Sequence, residues 1–530
     1  MPIGGKLESD ERIAHSQDLP TLVFENMKKF SDRNFLTDGL TGARLTFQEA
    51  FDEALSIAVR LRAIGVKEGS YVAFLTDSTL EACTFLIAVW FAGGCVSPIN
   101  SNLSTDDIGQ ILDITTAEYV FCEGTKLPLF EEAKKLVKRP LQVITDVKHA
   151  TYLSYQDLKS DDGSNFAPDA YDADSHVAFL LFTSGTTGVP KGVMLSSLGC
   201  LVNGIRIFDD FSSTLLTSPF YWISAAATFV NALLQGTELI IPRVKFIPGT
   251  KQPDLRHILR TIEVYKPKKW MSSPSTLLEM SSIPDVGKYD LSSLKHVSVG
   301  GSPILPVQKK YLCDTLFKGR NIIQERYGCS EAGFFTRQWK TPPPDFNDKK
   351  SASVGPPAPG LEVKIVDVET GRELGPNEVG EIFVRGSGNM IGYINKDLTE
   401  RYTKQDWYRV GDQCLYDEDE WIYFKTRVKE MIKFRGHAMA PVDMENVVIQ
   451  HPDVVEACVI GKPHPTDWEH PVAFVVKKVG SNLTEDALAA FVNGQVSDEK
   501  RLRGGVIFRD ELPKSAIGKI LRNKLQEEFQ

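Results

Sequence analysis

"FLLFTSGTTGVPKGVMLS" (Phe179–Ser196) places a loop rich in Ser, Thr and Gly between two apolar runs typical of buried strands. Its glycines permit positive φ angles and close approach of a ligand to the backbone. Successive backbone N–H groups, the hydroxyls and Lys191 can together bind an anion. A flexible surface turn is the alternative, but the flanking strands and the fixed lysine favour an anion site. It is not a Walker A loop, because the GxxxxGK[ST] spacing is absent and Pro190 precedes the lysine.

Helical and strand patterns alternate on both sides of this loop, which predicts an α/β architecture. Thr46–Gly65 has helical periodicity and ends in glycine, and a short apolar strand follows it. Leu361–Gly386 alternates apolar and polar residues, which predicts β-hairpins. From about Arg427 the pattern changes to a compact α/β module of roughly 100 residues, typical of a separate small domain. Within it, Pro441 and Thr484 are expected to begin helices.

The composition is that of an ordinary globular chain. It has 530 residues, a net charge of −9, 42% hydrophobic and 24% charged residues, and eight scattered cysteines without a CxxC pair. These values disfavour a general nucleic-acid-binding surface, a disulfide framework and a cysteine zinc site. The longest uncharged apolar stretch, Ala82–Val96, is shorter than the roughly 18–20 residues of a membrane span. With no signal-peptide pattern and no Ser-Lys-Leu ending, a cytoplasmic location is expected.

The decamer Thr183–Gly192 closely resembles the phosphate loop of the adenylate-forming superfamily, which includes acyl- and aryl-CoA ligases, beetle luciferases and peptide-synthetase adenylation domains. Further signatures of that superfamily follow in order along the chain: "SVGGSP" at Ser298–Pro303, "ERYGCSE" at Glu325–Glu331, "VGDQC" around Asp412, "TRVKEMIKFRG" around Arg427 and "PKSAIGK" ending at Lys519. The resemblance implies a large N-terminal adenylation domain, residues 1–426, made of α/β subdomains and a β-rich subdomain. It also implies a small mobile α/β domain, residues 427–530.

The resemblance assigns roles to individual residues. It places Tyr327 on the adenine, Asp412 and Arg427 on the ribose hydroxyls, and Lys519 between carboxylate and phosphate. The full set implied for ATP and AMP is Thr183, Ser184, Gly185, Thr186, Thr187, Gly188, Lys191, Gly300, Gly301, Ser302, Arg326, Tyr327, Gly328, Cys329, Ser330, Asp412, Arg427 and Lys519. The catalytic residues implied are Lys519, Thr186 and Glu331, with Glu331 also the ligand of Mg²⁺. Attack of a carboxylate on ATP brings two anions together, which a magnesium ion and a lysine offset.

Each of these residues taken alone has an ordinary explanation. Lys519 would be a surface charge, Asp412 a turn residue and Tyr327 a core side chain. Only their occurrence together, in the order of the superfamily, supports the functional interpretation. At the hinge, many relatives have aspartate where this chain has Thr426, with Lys429 three residues later.

The acyl pocket is expected along Ser218–Gly236. The residues implied for it are Trp222, Ala226, Phe229, Gly301 and Phe334. The apolar spacing along this segment is equally that of a plain core helix. The segment has no acidic residue, which disfavours an amino-acid substrate. Phe334 and Phe335 stand where light-emitting relatives prefer small or hydroxylic residues. Coenzyme A is expected to meet Lys433, Gly436 and Arg503, although exposed basic residues are also common without a ligand.

The resulting prediction is an ATP-dependent carboxylate–CoA ligase that uses ATP, Mg²⁺ and coenzyme A. It forms an acyl-adenylate with release of pyrophosphate and then a thioester with release of AMP. A medium or long fatty acid is the first expectation for the substrate, and an arylpropenoic acid the second. Three alternatives remain: a luciferase-like oxygenase, a catalytically silent nucleotide-binding or scaffold protein, and a generic kinase-like enzyme that would release ADP.

Overall fold

The computed structural model describes residues 2–5, 17–159, 162–183, 190–206, 212–243, 254–336, 350–395, 399, 403–404, 407–435, 437–514 and 520–529. The strands are β1 Ile3–Gly5, β2 Asn34–Asp38, β3 Arg44–Thr46, β4 Tyr71–Leu75, β5 Cys95–Pro98, β6 Tyr119–Cys122, β7 Gln142–Thr145, β8 Leu153–Ser154, β9 Val177–Thr183, β10 Lys191–Ser196, β11 Ser213–Leu216, β12 Glu238–Ile241, β13 Lys269–Ser272, β14 His296–Gly300, β15 Ile323–Arg326, β16 Gly328–Cys329, β17 Gly333–Phe334, β18 Leu361–Val366, β19 Gly380–Gly386, β20 Gly392–Tyr393, β21 Thr403–Lys404, β22 Trp407–Tyr416, β23 Ile422–Arg427, β24 Ile432–Phe434, β25 His437–Met439, β26 Val454–His464, β27 Trp468–Lys477 and β28 Gly505–Phe508. The α-helices are α1 Leu19–Lys29, α2 Phe47–Ala63, α3 Leu80–Phe91, α4 Thr105–Thr115, α5 Leu127–Lys134, α6 Tyr155–Leu158, α7 Ser197–Arg206, α8 Ile223–Gln235, α9 Leu255–Tyr265, α10 Pro274–Ser281, α11 Pro306–Phe317, α12 Pro441–Val448, α13 Glu485–Asn493 and α14 Arg522–Gln526.

Two largely parallel sheets form the body of the chain. The first has the strand order β20-β10-β9-β5-β4-β6-β7-β8, and the second the order β15-β14-β13-β11-β12-β2-β3. Strands such as β5, β9 and β14 are buried along most of their length, as expected for parallel strands covered on both faces. Helices α2, α3, α7 and α8 pack between them in one large apolar core. The predicted α/β fold class is confirmed.

The helix ends follow from local sequence. The predicted helix at Thr46–Gly65 begins at Phe47 because Thr46 caps it, with Glu49 completing a capping box. Helix α8 ends where Gly236 adopts a left-handed conformation with φ of 66°. Pro441 occupies the first turn of α12, and the Thr484 side chain accepts a hydrogen bond from the N–H of Ala487 at the start of α13. Both predicted helix starts are confirmed.

Two further sheets occupy the later part of the chain. Antiparallel strands β1, β18, β19, β22, β21 and β23 form one sheet, which confirms the predicted hairpin region. The other sheet, β25-β24-β27-β26 with β28 beside β27, packs on α12 and α13 around its own core. The domain boundary between residues 426 and 427 stays a prediction; it falls where β23 ends. None of the helices in the described part of the chain has the length and apolar character that a membrane span requires.

Candidate nucleotide and acyl site

The predicted nucleotide residues gather at the carboxyl ends of parallel strands. Strand β9 ends at Thr183, β14 at Gly300 and β15 at Arg326. Ligands of open α/β sheets bind at such an edge, where loops leave the strands. Strand β10 begins at Lys191, directly opposite Thr183. The loop between them, with Ser184, Gly185, Thr186, Thr187 and Gly188, lies outside the described residues, as do Gly436 and Lys519.

Tyr327, Asp412 and Arg427 form one side of the site. The Tyr327 hydroxyl donates to Asp412 Oδ2 at 2.7 Å, and Arg427 Nε lies 3.7 Å from Asp412 Oδ1. Strands β22 and β23 place Asp412 and Arg427 opposite each other in register. Burial raises the pKa of Tyr327, and Cys414 and Asp412 raise it further, so its phenol stays protonated and donates. The Asp412 carboxylate is buried but bounded by an exposed guanidinium, which suits contact with a polar ligand.

Glu331 forms the second side of the site. It lies in the tight turn between β16 and β17, and its side chain is buried. Its Oε1 accepts a hydrogen bond from the Tyr393 hydroxyl at 3.0 Å, and the Thr183 hydroxyl lies 3.5 Å away. The Lys191 ammonium lies 5.7 Å from the centre of the Tyr393 ring. A carboxylate beside the phosphate-loop strands is the ligand type that Mg²⁺ prefers, so the residues present fit that ion.

Glycines bring the backbone close to the space between these two sides. A Cβ at Gly300 would stand 2.9 Å from the carbonyl oxygen of Arg326 on the neighbouring strand, so only glycine fits. Gly301 has φ of 86°, and no described atom lies within 4 Å of where its Cβ would stand. The space at Gly301, next to Ser302 in the chain, is therefore open, and a ligand site requires such open space. Gly328 and Cys329 form strand β16, and Ser330 follows at the turn, partly exposed.

Arg326 is the predicted nucleotide residue whose contacts are internal. Its guanidinium donates to the carbonyl of Arg206 at 2.7 Å and lies 4.1 Å above the Phe334 ring. These contacts anchor β15 to α7. A role of Arg326 in nucleotide binding stays a prediction.

The predicted acyl residues divide into two groups. Trp222 occupies the N-cap position of α8 and is partly exposed. Phe229, in contrast, is fully buried and packs on Phe35, Trp90 and Phe220. Phe229 and the buried Ala226 belong to the large core, which is what the plain-core alternative predicts for them.

A separate small apolar cluster contains Ala227, Met271 and Phe334. It joins α8 to the carboxyl end of β13 and to β17, outside the large core. The acyl-pocket hypothesis now rests on this cluster, and the sequence singled out only Phe334 among its members.

Two of the predicted coenzyme A residues, Lys433 and Arg503, lie at β24. Lys433 is exposed on that strand, and the Arg503 guanidinium lies 4.5 Å above the ring of the adjacent Phe434. Arg503 also donates to the carboxylate of Asp498 at 2.6 Å. The guanidinium groups of Arg503 and Arg435 flank the Phe434 ring, at 4.5 and 5.2 Å from its centre. Lys433 lies on the other face of β24, and contact of Lys433 or Arg503 with coenzyme A stays a prediction.

Comparison with known proteins identifies the family. The family model described as AMP-binding enzyme matches residues 23–394, and that of the AMP-binding enzyme C-terminal domain matches residues 443–519. The chain belongs to the AMP-binding enzyme family. The adenylate-forming resemblance predicted from the motifs is confirmed, and the chain is an adenylate-forming, ATP-binding family member.

Relatives of this AMP-binding enzyme include a monooxygenase and a CoA ligase. It is 30% identical over 519 residues to a luciferin 4-monooxygenase of Luciola mingrelica, covering 93% of this chain and 90% of that protein. It is 29% identical over 525 residues to 4-coumarate-CoA ligase 1 of Narcissus pseudonarcissus, covering 96% and 93%. The crystal structure of ATP-bound MatB from Rhodopseudomonas palustris shares the fold, with a TM-score of 0.83 at 24% identity over 97% of this chain and 99% of that one.

Sequence reasoning missed three residues that shape the site of this AMP-binding enzyme: Tyr393, Asn203 and Arg206. The Asn203 side chain on α7 accepts from the N–H of Phe334 at 3.2 Å and donates to the carbonyls of Gly199 and Gly388. Gly333 has φ of 67°, and a Cβ there would collide with the Asn203 amide. The available signal was the pair of polar residues three positions apart on an otherwise apolar helix.

The Arg206 side chain connects α7 to two other backbone segments, one at Phe334 and one at Pro359 and Gly360. Its guanidinium donates to the carbonyls of Pro359 at 3.1 Å, Gly360 at 3.2 Å and Phe334 at 3.3 Å. Burial lowers the pKa of Arg206 to about 10, so the side chain remains a cation at neutral pH. Through its bond to Phe334 in β17, Arg206 therefore stabilises the strand that follows the Glu331 turn.

We expect Arg206→Met to destabilise the chain, since one buried and two partly buried carbonyls lose their donor. The expected loss is roughly 2–4 kcal/mol of unfolding free energy, measured by urea denaturation with tryptophan fluorescence. Arg33→Met is the matched control, because Arg33 is exposed and its contacts with the carbonyls of Gln235 and Gly236 are long, at 3.5 Å. Equal effects of the two changes would contradict the anchoring role.

Proposed function

We propose that this AMP-binding enzyme is an ATP-dependent carboxylate–CoA ligase. The observation that carries the proposal is the Asp412 carboxylate on β22, which is held between the Tyr327 hydroxyl and Arg427. A carboxylate held in this way can accept hydrogen bonds from both hydroxyls of a ribose. The partly exposed Tyr327 ring, which packs edge-on against Phe335 and Phe424, would meet the adenine. Glu331, Thr183 and Lys191 then lie on the side where the triphosphate would extend.

In the proposed first step, a carboxylate oxygen of the acid attacks the α-phosphorus of ATP and pyrophosphate leaves. Lys191 and the loop after Thr183 would bind the leaving phosphates, and Glu331 would hold Mg²⁺. The magnesium ion supplies charge neutralisation on the phosphate oxygens. Lys519 would bridge the carboxylate and the α-phosphate, which lowers the repulsion between the two anions as they meet.

In the proposed second step, the thiol of coenzyme A attacks the acyl carbon of the adenylate and AMP leaves. We propose that residues 1–426 and 427–530 act as two domains, hinged where β23 ends at Arg427. Rotation there would withdraw Lys519 and bring in β24 with Lys433, together with Gly436 and Arg503. The Arg503 guanidinium over the Phe434 ring and the exposed Lys433 on the other face of β24 are the basic groups that support contact with the phosphates of coenzyme A.

For the substrate we propose a medium or long fatty acid, with an arylpropenoic acid second. The support is the apolar cluster of Ala227, Met271 and Phe334, together with the open space around Gly301. Helix α8 carries no charged side chain that would pair with an ammonium group. Apolar lining with few polar groups suits a hydrocarbon tail.

The direct test is a panel of fatty and arylpropenoic acids, from short to long, with ATP, Mg²⁺ and coenzyme A. The proposal expects AMP, pyrophosphate and an acyl thioester in equal amounts, resolved by chromatography. Release of ADP, or formation of adenylate without thioester for every acid, would contradict it.

A luciferase-like oxygenase is the second candidate, because of the 30% identity to a luciferin 4-monooxygenase. It would consume oxygen and emit light when ATP and a luciferin are added without coenzyme A. Phe334 is buried against Met271 and Ala227. Its ring would therefore narrow the proposed acyl pocket. We therefore expect no light emission from the wild-type chain.

We expect Phe334→Ala to shift the substrate preference toward longer acids, because it removes the aromatic ring from the cluster. The ratio of kcat/KM between a long and a short acid should rise roughly tenfold. Phe334→Leu, which keeps most of the volume, should give an intermediate shift. A uniform fall in kcat/KM across all acids would contradict a pocket at this position.

A further inference from the structure

Two histidines and one aspartate meet where strand β26 turns into strand β27. One potential ligand atom from each of His464, Asp467 and His470 lies within 4.8 Å of the other two. Asp467 Oδ2 is 2.8 Å from His470 Nε2 and 3.6 Å from His464 Nδ1. The two imidazole rings stack with their centres 3.8 Å apart. Both rings therefore approach the same carboxylate oxygen.

These separations fit a tetrahedral metal centre. Zinc bonds of about 2.0–2.1 Å to nitrogen and oxygen place neighbouring ligand atoms roughly 3.3 Å apart. The two measured separations, 2.8 and 3.6 Å, lie on either side of that value. Because the two imidazole rings stack nearly parallel, an ion cannot lie in both ring planes, so one ring would turn out of the stack on binding. The His464 side chain is 36% exposed, which leaves it room to turn.

The nitrogen of His464 that faces the cluster carries a lone pair. The backbone N–H of Asp467 approaches His464 Nδ1 at 3.3 Å, and an N–H can only donate to an unprotonated nitrogen. The Thr466 hydroxyl lies 3.4 Å from the same nitrogen. An unprotonated imidazole nitrogen is the form of histidine that binds metal ions. An ion at Nδ1 would replace this long N–H contact, because both need the same lone pair.

Arg435 orients the carboxylate. Its Nε donates to Asp467 Oδ1 at 2.7 Å, while its terminal nitrogen lies 3.4 Å from Oδ2. The stronger contact thus occupies Oδ1 and leaves Oδ2 directed at the two histidines. Carboxylates that bind metal ions are commonly held by such an outer hydrogen bond.

We propose that His464, Asp467 and His470 form a binding site for a divalent transition-metal ion of the zinc class. Two imidazoles and one carboxylate suit Zn²⁺ and its neighbours, whereas Mg²⁺ and Ca²⁺ prefer oxygen ligands alone. Three protein ligands leave one position for water. The site is separate from the magnesium position proposed at Glu331, and none of its residues is assigned to ATP, the acid or coenzyme A.

The position of the site gives it a structural consequence. Asp467 holds Arg435, which directly follows β24, and His470 lies 5.8 Å from the Phe434 ring on that strand. An ion bound here would join the β26–β27 turn to the end of β24. Because the ion binds only the folded arrangement, it should raise the unfolding temperature of the small domain.

The test is a Zn²⁺ titration of the full chain after treatment with a chelator, with a chromophoric chelator as competitor. We expect one zinc ion per chain at this site, and at least tenfold weaker binding in His464→Ala, in His470→Ala and in the conservative His470→Gln. Co²⁺ should give the intense visible absorption of a four-coordinate site in the wild-type chain and not in these three variants.

His149→Ala is the matched control. His149 is an exposed histidine that stacks on Tyr152, and it is far in sequence from the proposed metal site. It should bind Zn²⁺ as the wild type does. The proposal is overturned if the wild-type chain takes up no Zn²⁺, or if the variant lacking both His464 and His470 binds as tightly as the wild type. Circular dichroism of each variant without metal verifies that folding is retained. ATP–pyrophosphate exchange reports on the proposed ligase activity separately.

Discussion

Replacing Lys519 with alanine is expected to reduce carboxylate-dependent ATP–pyrophosphate exchange by roughly 10²–10³-fold, the effect of removing one preorganised group that stabilises transition-state charge. ATP affinity should stay close to that of the wild type, because the ribose and adenine side of the site does not involve this lysine. Exchange of labelled pyrophosphate into ATP measures the first effect, and equilibrium binding of ATP measures the second.

Lys524→Ala is the matched control for that change. Lys524 lies five residues further along the chain on α14, where it is exposed. Its loss should leave exchange unchanged. If Lys519→Ala retained wild-type exchange, the proposed bridging of carboxylate and phosphate would be wrong, and the family signature around it would have another purpose here.

Asp412→Asn is expected to raise the KM for ATP by roughly 10- to 100-fold. Asparagine can still accept from the Tyr327 hydroxyl, so the local structure should persist. The charge that would bind the ribose hydroxyls and face Arg427 is lost. A hydrogen bond to a charged group contributes roughly 1.5–3 kcal/mol, and 1.4 kcal/mol corresponds to a tenfold change in affinity. Initial-rate kinetics at saturating acid measure the effect.

The control for this change is Asp419→Asn, a few residues further along. Asp419 is exposed in the turn between β22 and β23, where it pairs with Lys350 at 2.8 Å. It should alter neither KM nor kcat. A fall in kcat with unchanged KM in Asp412→Asn would argue against a ground-state contact with the ribose. Unfolding curves of both variants separate loss of binding from loss of stability.

Much of the local structure could be predicted from sequence because its causes are local. Thr46 and Thr484 cap helices through their own hydroxyls, and Pro441 fits a first helical turn. The position of Thr183 and Lys191 on either side of a loop also follows from two adjacent apolar runs. Each of these features depends on a few neighbouring residues, so the chain alone is enough to predict it.

The acyl region could not be predicted in the same way. The apolar spacing of α8 is the same for a pocket wall and a core helix, and the sequence could not separate them. In the fold, Phe229 enters the large core, whereas Ala227 on the same helix contacts Met271 and Phe334. Which face of a helix meets a pocket depends on strands that are distant in sequence.

The sequence by itself determined the family, the α/β class and the identity of the residues proposed for ATP, because motif order and strand patterns are properties of the chain. Only the tertiary structure decided that Tyr393 binds Glu331, that Arg206 holds the turn behind it, and that His464, Asp467 and His470 meet. The first two contacts join residues that are 62 and 128 positions apart. The histidine cluster is close in sequence, but its geometry needs the β26–β27 turn and Arg435 from another strand pair. Such contacts arise from packing, which local sequence patterns do not specify.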